Sequence, residues 1–358
     1  MHDPKREIIK LNNNKKIGDL QKPYLIAEIG TNHNRDINIA KKIIEKIAIA
    51  GFDCAKFQTY ESYEIVSENV RAKDYKLDSI YGDISAFEMF NNYLKTPKEW
   101  FPELIEFCKS LGLDCATTIH GEHGISWVKN LNFDLIKIAS MDHNNFPFLE
   151  KIVNQINQPI LISFGMAELK DIERALDILM NHKKGVGAFH CVSIYPATPE
   201  NLRLSNIDFL REKFSIPIGF SDHTEDVLSS SLAFLLGSSI FEKHVTLDKR
   251  SKGPDHPFAL EPSQMIEYVS GINDLYSNLN KKEFQNPSKE EQSNRNSYLK
   301  SVVTKRELFK DNIISEKDIT LVRPGDGISP SEYKLVIGSK VKCNVKKGDT
   351  LHWSDIEI

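Results

Sequence analysis

Two lysines and two histidines carry the first chemical questions of this sequence. Lys56 and Lys137 each lie inside a short apolar run, at 54–57 and 135–139. An ammonium group buried there is costly unless it meets an anion or a carboxylate. For one such lysine, a neighbouring glutamate such as Glu28 is the simpler partner. Two at equivalent positions, with the hydroxyls of Thr118, Ser140, Ser163, Ser193 and Ser221 at the ends of other apolar runs, point instead to a site for a phosphate and a carboxylate. His223 and His244 end two further runs. Neutral imidazoles so placed can share one divalent cation and leave its other positions to water and substrate. A carboxylate-poor set suits Mn²⁺, Zn²⁺ or Fe²⁺. Asp255, in Gly253-Pro254-Asp255-His256, can reach the same place or serve only its turn.

These side chains need a scaffold that brings the ends of many strands together. Short β-branched and aromatic runs occur at 24–28, 54–57, 115–119, 135–139, 160–163, 186–191, 216–220 and 239–245. Each suits a strand buried on both faces of a parallel sheet. Amphipathic helices are predicted between them, at 37–50, 97–111, 167–180, 199–214 and 224–236. For 97–111, Thr96 serves as N-cap and Pro97 as first residue. Eight strands alternating with helices over about 260 residues is the count of a (β/α)₈ TIM barrel, an α/β fold. An open doubly wound sheet is the structural rival, but neither G-x-G-x-x-G nor a P-loop is present to support its nucleotide-binding forms. A barrel places chemistry at the C-terminal ends of its strands. The polar residues collect there: Glu28; Lys56 and Gln58; Thr117, Thr118 and His120; Lys137, Ser140 and Asp142; Ser163 and Gly165; His190, Ser193 and Tyr195; Ser221, Asp222 and His223; Glu242 and His244.

The 358 residues carry a net charge of −4, which argues against binding nucleic acid through its phosphates. No apolar run approaches the roughly 18 residues that cross a bilayer, and the polar start Met1 to Arg6 lacks a signal core. A cytoplasmic protein without membrane partners is expected. The five separated cysteines are read as reduced thiols, four of them buried, rather than as a disulfide framework; a catalytic Cys191 beside His190 is the minor alternative. The barrel domain is expected over 1–280, a polar linker over 281–297, and a small domain over 298–358 with strands at 301–304, 319–322 and 345–351.

The ordered segments Ala27-Glu28-Ile29-Gly30-Thr31-Asn32-His33-Asn34, Lys56-Phe57-Gln58-Thr59, Lys137-Ile138-Ala139-Ser140, Ser163-Phe164-Gly165-Met166, His190 to Pro196, Gly219 to Thr224, Glu242-Lys243-His244 and Gly253 to His256 resemble the sialic acid synthase family: N-acetylneuraminate synthases and their legionaminate and pseudaminate relatives. Arg323-Pro324-Gly325 with Gly327-Ile328 resembles that family's C-terminal antifreeze-like (SAF, β-clip) domain. The resemblance implies condensation of phosphoenolpyruvate with an N-acylated aminohexose in its open-chain aldehyde form. By the same resemblance Lys56, Thr118, Lys137, Ser140, Ser163, Ser193 and Ser221 hold phosphoenolpyruvate. His223 and His244 hold a divalent metal, Mn²⁺ first, with Mg²⁺, Co²⁺ or Zn²⁺ as alternatives. Gln58, Tyr195 and Asp255 contact the sugar, and Glu28 is an active-site carboxylate that either handles a water proton or steadies Lys56. Arg323 reaches the sugar from the partner subunit of a domain-swapped homodimer.

Departures from the family pattern fall on the sugar side. Thr117-Thr118-Ile119-His120 replaces Ser-Thr-Pro-Phe, Ser140-Met141-Asp142 replaces Ser-Gly-Glu, and Ser193 replaces an Asn. The expectation is a retained reaction with an acceptor other than N-acetylmannosamine. The rival readings are another phosphoenolpyruvate-dependent aldol-type synthase and a non-catalytic carbohydrate-binding protein.

Overall fold

Period-two alternation explains the centre of this protein. In the computed structural model, which describes residues 7–279 and 284–358, eight parallel strands close into a barrel: β3 (Tyr24–Glu28), β4 (Cys54–Thr59), β5 (Asp114–Ile119), β6 (Leu135–Ile138), β7 (Ile160–Ser163), β8 (Val186–Cys191), β9 (Ile218–Asp222) and β10 (Ile240–His244), with β10 pairing back onto β3. β1 (Ile9–Lys10) and β2 (Lys16–Ile17) form a preceding hairpin. One apolar cluster joins its Ile9, Leu11 and Ile17 to Ile26, Cys54, Ala116, Leu135, Leu161, Phe189 and Ile240. Those seven barrel residues fill one interior layer. Two residues further along each strand the side chain returns to the same face. That step leads to Glu28, Lys56, Thr118, Lys137, Ser163, Cys191 and Glu242, so a polar layer sits directly above an apolar one.

The opposite faces of the strands pack on helices. Ala27, Phe57, Ile136, Ile138, Ala188, Ile218, Phe220 and Phe241 join one cluster with the buried sides of the surrounding helices. The helix Ile37–Ala50 is typical: Asp36 accepts from the Asn38 N–H at its start, and Gly51, at φ 88°, ends it in the left-handed region. Among the described residues no helix is long and apolar enough to cross a membrane.

Three local expectations are corrected. β9 begins at Ile218, two residues late, because Pro217 has no N–H for the ladder. β4 continues past residue 57 to Thr59, since Gln58 and Thr59 pair in register with Thr118 and Ile119. Thr96 does not cap a helix. Lys98–Trp100 forms a 3₁₀ turn, the α-helix runs Phe101–Ser110 with Pro102 in its first turn, and the Thr96 hydroxyl bonds His33 Nε2 at 3.0 Å.

The chain divides into two units, Met1–Asn280 and Lys281–Ile358. Of the expected linker, 281–283 lie outside the described residues, as do Met1 to Arg6, and short helices form at Lys289–Ser293 and Arg295–Tyr298. The second unit has its own core around Val302, Leu308, Ile314, Ile319 and Val336. Its strands are β11 (Ser301–Thr304) against β12 (Ile319–Val322), and β13 (Lys340–Val341) against β14 (Ile356–Glu357). The strand expected at 345–351 is absent; Val345 and Thr350 make only isolated bridges, to Leu308 and Val303. All five cysteines are free, four buried and Cys343 exposed.

Candidate active site

Charges meet in the polar layer. Lys56 Nζ lies 2.6 Å from Glu28 Oε2 and 3.6 Å from Glu242 Oε1, and donates to Thr118 Oγ1 at 2.8 Å. Lys137 Nζ lies 3.2 Å from Glu242 Oε2 and 4.7 Å above the Phe189 ring. Ser221 donates to Glu242 at 3.3 Å, and Gln58 donates to Glu28 at 2.8 Å. Both lysines and both glutamates are at most 5% exposed. Each lysine therefore has the carboxylate partner that the simpler reading required. The interior nonetheless holds two ammonium groups, with hydroxyls beside them, where apolar side chains would pack at lower cost. Burial raises the Glu28 pKa against the pull of Lys56. Burial also opposes ionisation of Glu242, but Lys137 and Lys56 outweigh it and hold that carboxyl at about 2. Burial lowers the Lys137 pKa.

The next layer up holds the histidines. The His223 and His244 rings are 5.4 Å apart between centroids. Val192 O lies 2.9 Å from His223 Nδ1, which places the proton there and leaves Nε2 as the free ligand atom. His244 Nδ1 is buried without a hydrogen-bond partner, 3.5 Å from Asp255 Oδ2. Burial and the His223 ring keep His244 well below the ordinary imidazole pKa, hence neutral at pH 7. Among the described residues no group of three or more His, Cys, Asp or Glu is arranged to hold a metal. Two imidazoles, one with an orphaned buried nitrogen, fit a divalent cation that takes its remaining ligands from water and substrate. The Tyr195 ring lies 4.3 Å from the His223 ring, tilted 46° to it, and Asp255 also meets the Thr31 hydroxyl at 3.4 Å.

The other expected residues divide. Ser140 Oγ accepts from Gly165 N–H at 2.9 Å, while the Ser163 and Ser193 hydroxyls are buried with no partner, as groups awaiting a ligand would be. Asp142 pairs with His120, Oδ2 to Nδ1 at 2.8 Å. Arg323, in the second unit, is exposed; its Nε donates to Tyr298 O at 3.0 Å. His190 is structural: its Nε2 bonds Leu202 O and its ring stacks on Phe220, away from Cys191 chemistry.

Three features had a sequence signal that carried no role. Glu242 shares its strand face with His244, and it joins both lysines. Gly165 is packed so closely that a Cβ there would collide with the Ser140 and Ser193 hydroxyls. At Gly30, φ 52°, a Cβ would press on Asp255 Oδ2 and Glu28 Oε1 at 3.0 and 3.2 Å. A cavity of about 430 Å³, lined in part by Phe164 and Arg203, adjoins the site through Cys191 and Ser193; neither lysine nor His223 or His244 lines it.

Residues 43–284 match the NeuB family and residues 300–357 match the SAF domain. The N,N'-diacetyllegionaminic acid synthase of Legionella pneumophila is 33% identical over 97% of this chain and 98% of its own. The N-acetylneuraminate-9-phosphate synthase of Homo sapiens is 29% identical over 94% of this chain and 93% of its own. The crystal structure of N-acetylneuraminic acid (sialic acid) synthetase from Leptospira borgpetersenii serovar Hardjo-bovis in complex with citrate superposes with TM-score 0.72 at 29% identity, over 82% of this chain and 96% of that one.

Proposed function

The chain belongs to the NeuB family, and on that premise we propose that it condenses phosphoenolpyruvate with an N-acylated aminohexose to give a nine-carbon, sialic-acid-type 2-keto acid and inorganic phosphate. The observation that carries this reading is the pair of buried ammonium groups in the polar layer. Phosphoenolpyruvate brings a carboxylate and a phosphate. Lys56 and Lys137, with Thr118, Ser140, Ser163, Ser193 and Ser221, offer charge-assisted donors to both. Glu28 and Glu242 keep the layer neutral until the anion enters.

In the reaction, the C2=C3 π pair of phosphoenolpyruvate forms the bond from C3 to the aldehyde carbon of the open-chain sugar, and the aldehyde oxygen becomes an alkoxide that is protonated by the proton released from the attacking water. Water adds at C2, and phosphate leaves with cleavage of its C2–O bond. Glu28, raised in pKa by burial and steadied by Gln58, accepts the water proton. His223 and His244 are the residues that hold a divalent cation, Mn²⁺ first; such an ion supplies Lewis-acid polarisation of the aldehyde oxygen. Gln58, Tyr195 and Asp255 line the acceptor side, where the altered segments favour an acceptor other than plain N-acetylmannosamine. Arg323 is assigned to the sugar bound by a second copy of the chain, in a homodimer.

Phosphate release tests the proposal. It should require phosphoenolpyruvate, a divalent metal and an N-acylated aminohexose together, and fall by about 100-fold or more in Lys137→Ala. Release without an acceptor, or none with any member of a panel of mono- and di-N-acyl aminohexoses, would overturn it. Highest efficiency with N-acetylmannosamine would remove the acceptor part alone.

A further inference from the structure

The mouth has a second polar wall, opposite in strand order to the two histidines. Tyr60 and His120 are the first residues after β4 and β5, and Asp142 lies in the turn after β6. These are the strands that carry Lys56, Thr118 and Lys137. By alternation, Tyr60 stands two steps above Lys56 and His120 one step above Thr118. The Tyr60 and His120 rings meet edge to face, 5.7 Å between centroids, and Phe90 closes on Tyr60 at 6.0 Å. Asp142 lies 2.8 Å from His120 Nδ1, and no described residue bonds Nε2.

Tyr60 is 2% exposed, and its hydroxyl is buried with no hydrogen-bond partner. A buried orphan of this kind costs stability and calls for a partner that the folded chain does not supply. Burial and the charge of Asp255, from the far side of the mouth, push the phenol pKa up, so it remains a donor.

We propose that Tyr60 and His120, the latter positioned by Asp142, form an acceptor-specificity subsite that binds one hydroxyl of the aminohexose. The phenol donates to the sugar oxygen, and that oxygen's proton goes to His120 Nε2. A hydroxyl fits because it accepts and donates at a single atom, which matches a donor and an acceptor set side by side. The subsite rests on the synthase reading above and adds the two residues that discriminate among acceptors.

The test compares wild type, Tyr60→Phe and His120→Ala on the best acceptor of the aminohexose panel and on its monodeoxy analogues. Wild type should lose roughly 10- to 100-fold in kcat/KM with one analogue. In Tyr60→Phe that discrimination should shrink toward unity. The KM for the parent acceptor should rise, while the KM for phosphoenolpyruvate stays unchanged. Asp142→Asn should show the same KM split in weaker form. Tyr60→Phe should unfold at the same temperature as wild type or higher, since its hydroxyl holds nothing in the free protein; a clear loss of thermal stability would overturn the premise of an orphan. Equal discrimination in all variants, with wild type turning over, would overturn this inference alone. No turnover by wild type with any acceptor would overturn the synthase reading and the subsite with it.

Discussion

Lys243 and Asp222 are register partners on the last two barrel strands, and their charges meet 3.0 Å apart with neither side chain accessible to solvent. Each precedes one of the two histidines, so the pair faces outward where His223 and His244 face in. Asp222 also accepts from Thr224 N–H and Ser230 Oγ, both at 2.8 Å, and Lys243 donates to Thr224 O at 2.6 Å. The turn after His223 is thereby tied to the strand that ends in His244.

Removing one member of this pair leaves a buried charge unmatched. Lys243→Met should destabilise the protein by about 3–5 kcal/mol, read by urea denaturation, and replacing both partners by apolar residues should recover part of the loss. A cost under about 1 kcal/mol would show that the pair is not holding the turn.

The pH profile should single out Glu28. Its folded pKa is raised, and a base works only when ionised, so the rate should fall as pH drops through a value above the ordinary glutamate pKa of about 4.3. Glu242, held at about 2, stays charged across that range and adds no limb. Its contribution to folding is present above about pH 4.3 and is lost as pH falls toward 2. In Glu28→Gln the acid limb of kcat/KM should vanish with most of the rate; an unchanged limb would assign it elsewhere.

Metal binding should need both imidazoles. Calorimetric titration of chelator-treated protein with Mn²⁺ should give one equivalent per chain. His223→Ala and His244→Ala should each weaken binding by more than roughly 100-fold, beyond what losing an outer-shell partner costs. Tight binding that survives both substitutions would place the ion elsewhere.

Thiol titration should find one fast cysteine in the native protein, Cys343, and five after unfolding, because burial hides the other four. A second fast thiol would mean that the barrel interior opens.

Much of this architecture was legible because the barrel repeats one physical pattern. Strand-length apolar runs with lysine, glutamate or histidine two residues apart specify a buried polar face, and the helix 37–50 is bounded by its own capping residues. What escaped lay where local chemistry and tertiary pairing disagree. Gln58 and Thr59 end the apolar run, yet the ladder with β5 carries the strand on to Thr59 and so places Tyr60 at the strand end. Thr96 reads as a cap, but His33, sixty-three positions away, claims its hydroxyl. Glu242 was visible on the last strand; its role needed the knowledge that Lys137, from the other side of the barrel, reaches it. The segment 345–351 is apolar only at Val345 and Leu351 and turns at Gly348, φ 88°, so it makes only single bridges.

A crystal structure with phosphoenolpyruvate and Mn²⁺ bound would locate the anion and the ion at once. The carboxylate and phosphate of the ligand should lie within hydrogen-bond reach of the Lys56 and Lys137 ammonium groups, with the ion on His223 and His244. Ligand bound outside the barrel mouth, with Lys56 still closed on Glu28 and Lys137 on Glu242, would contradict the proposed function.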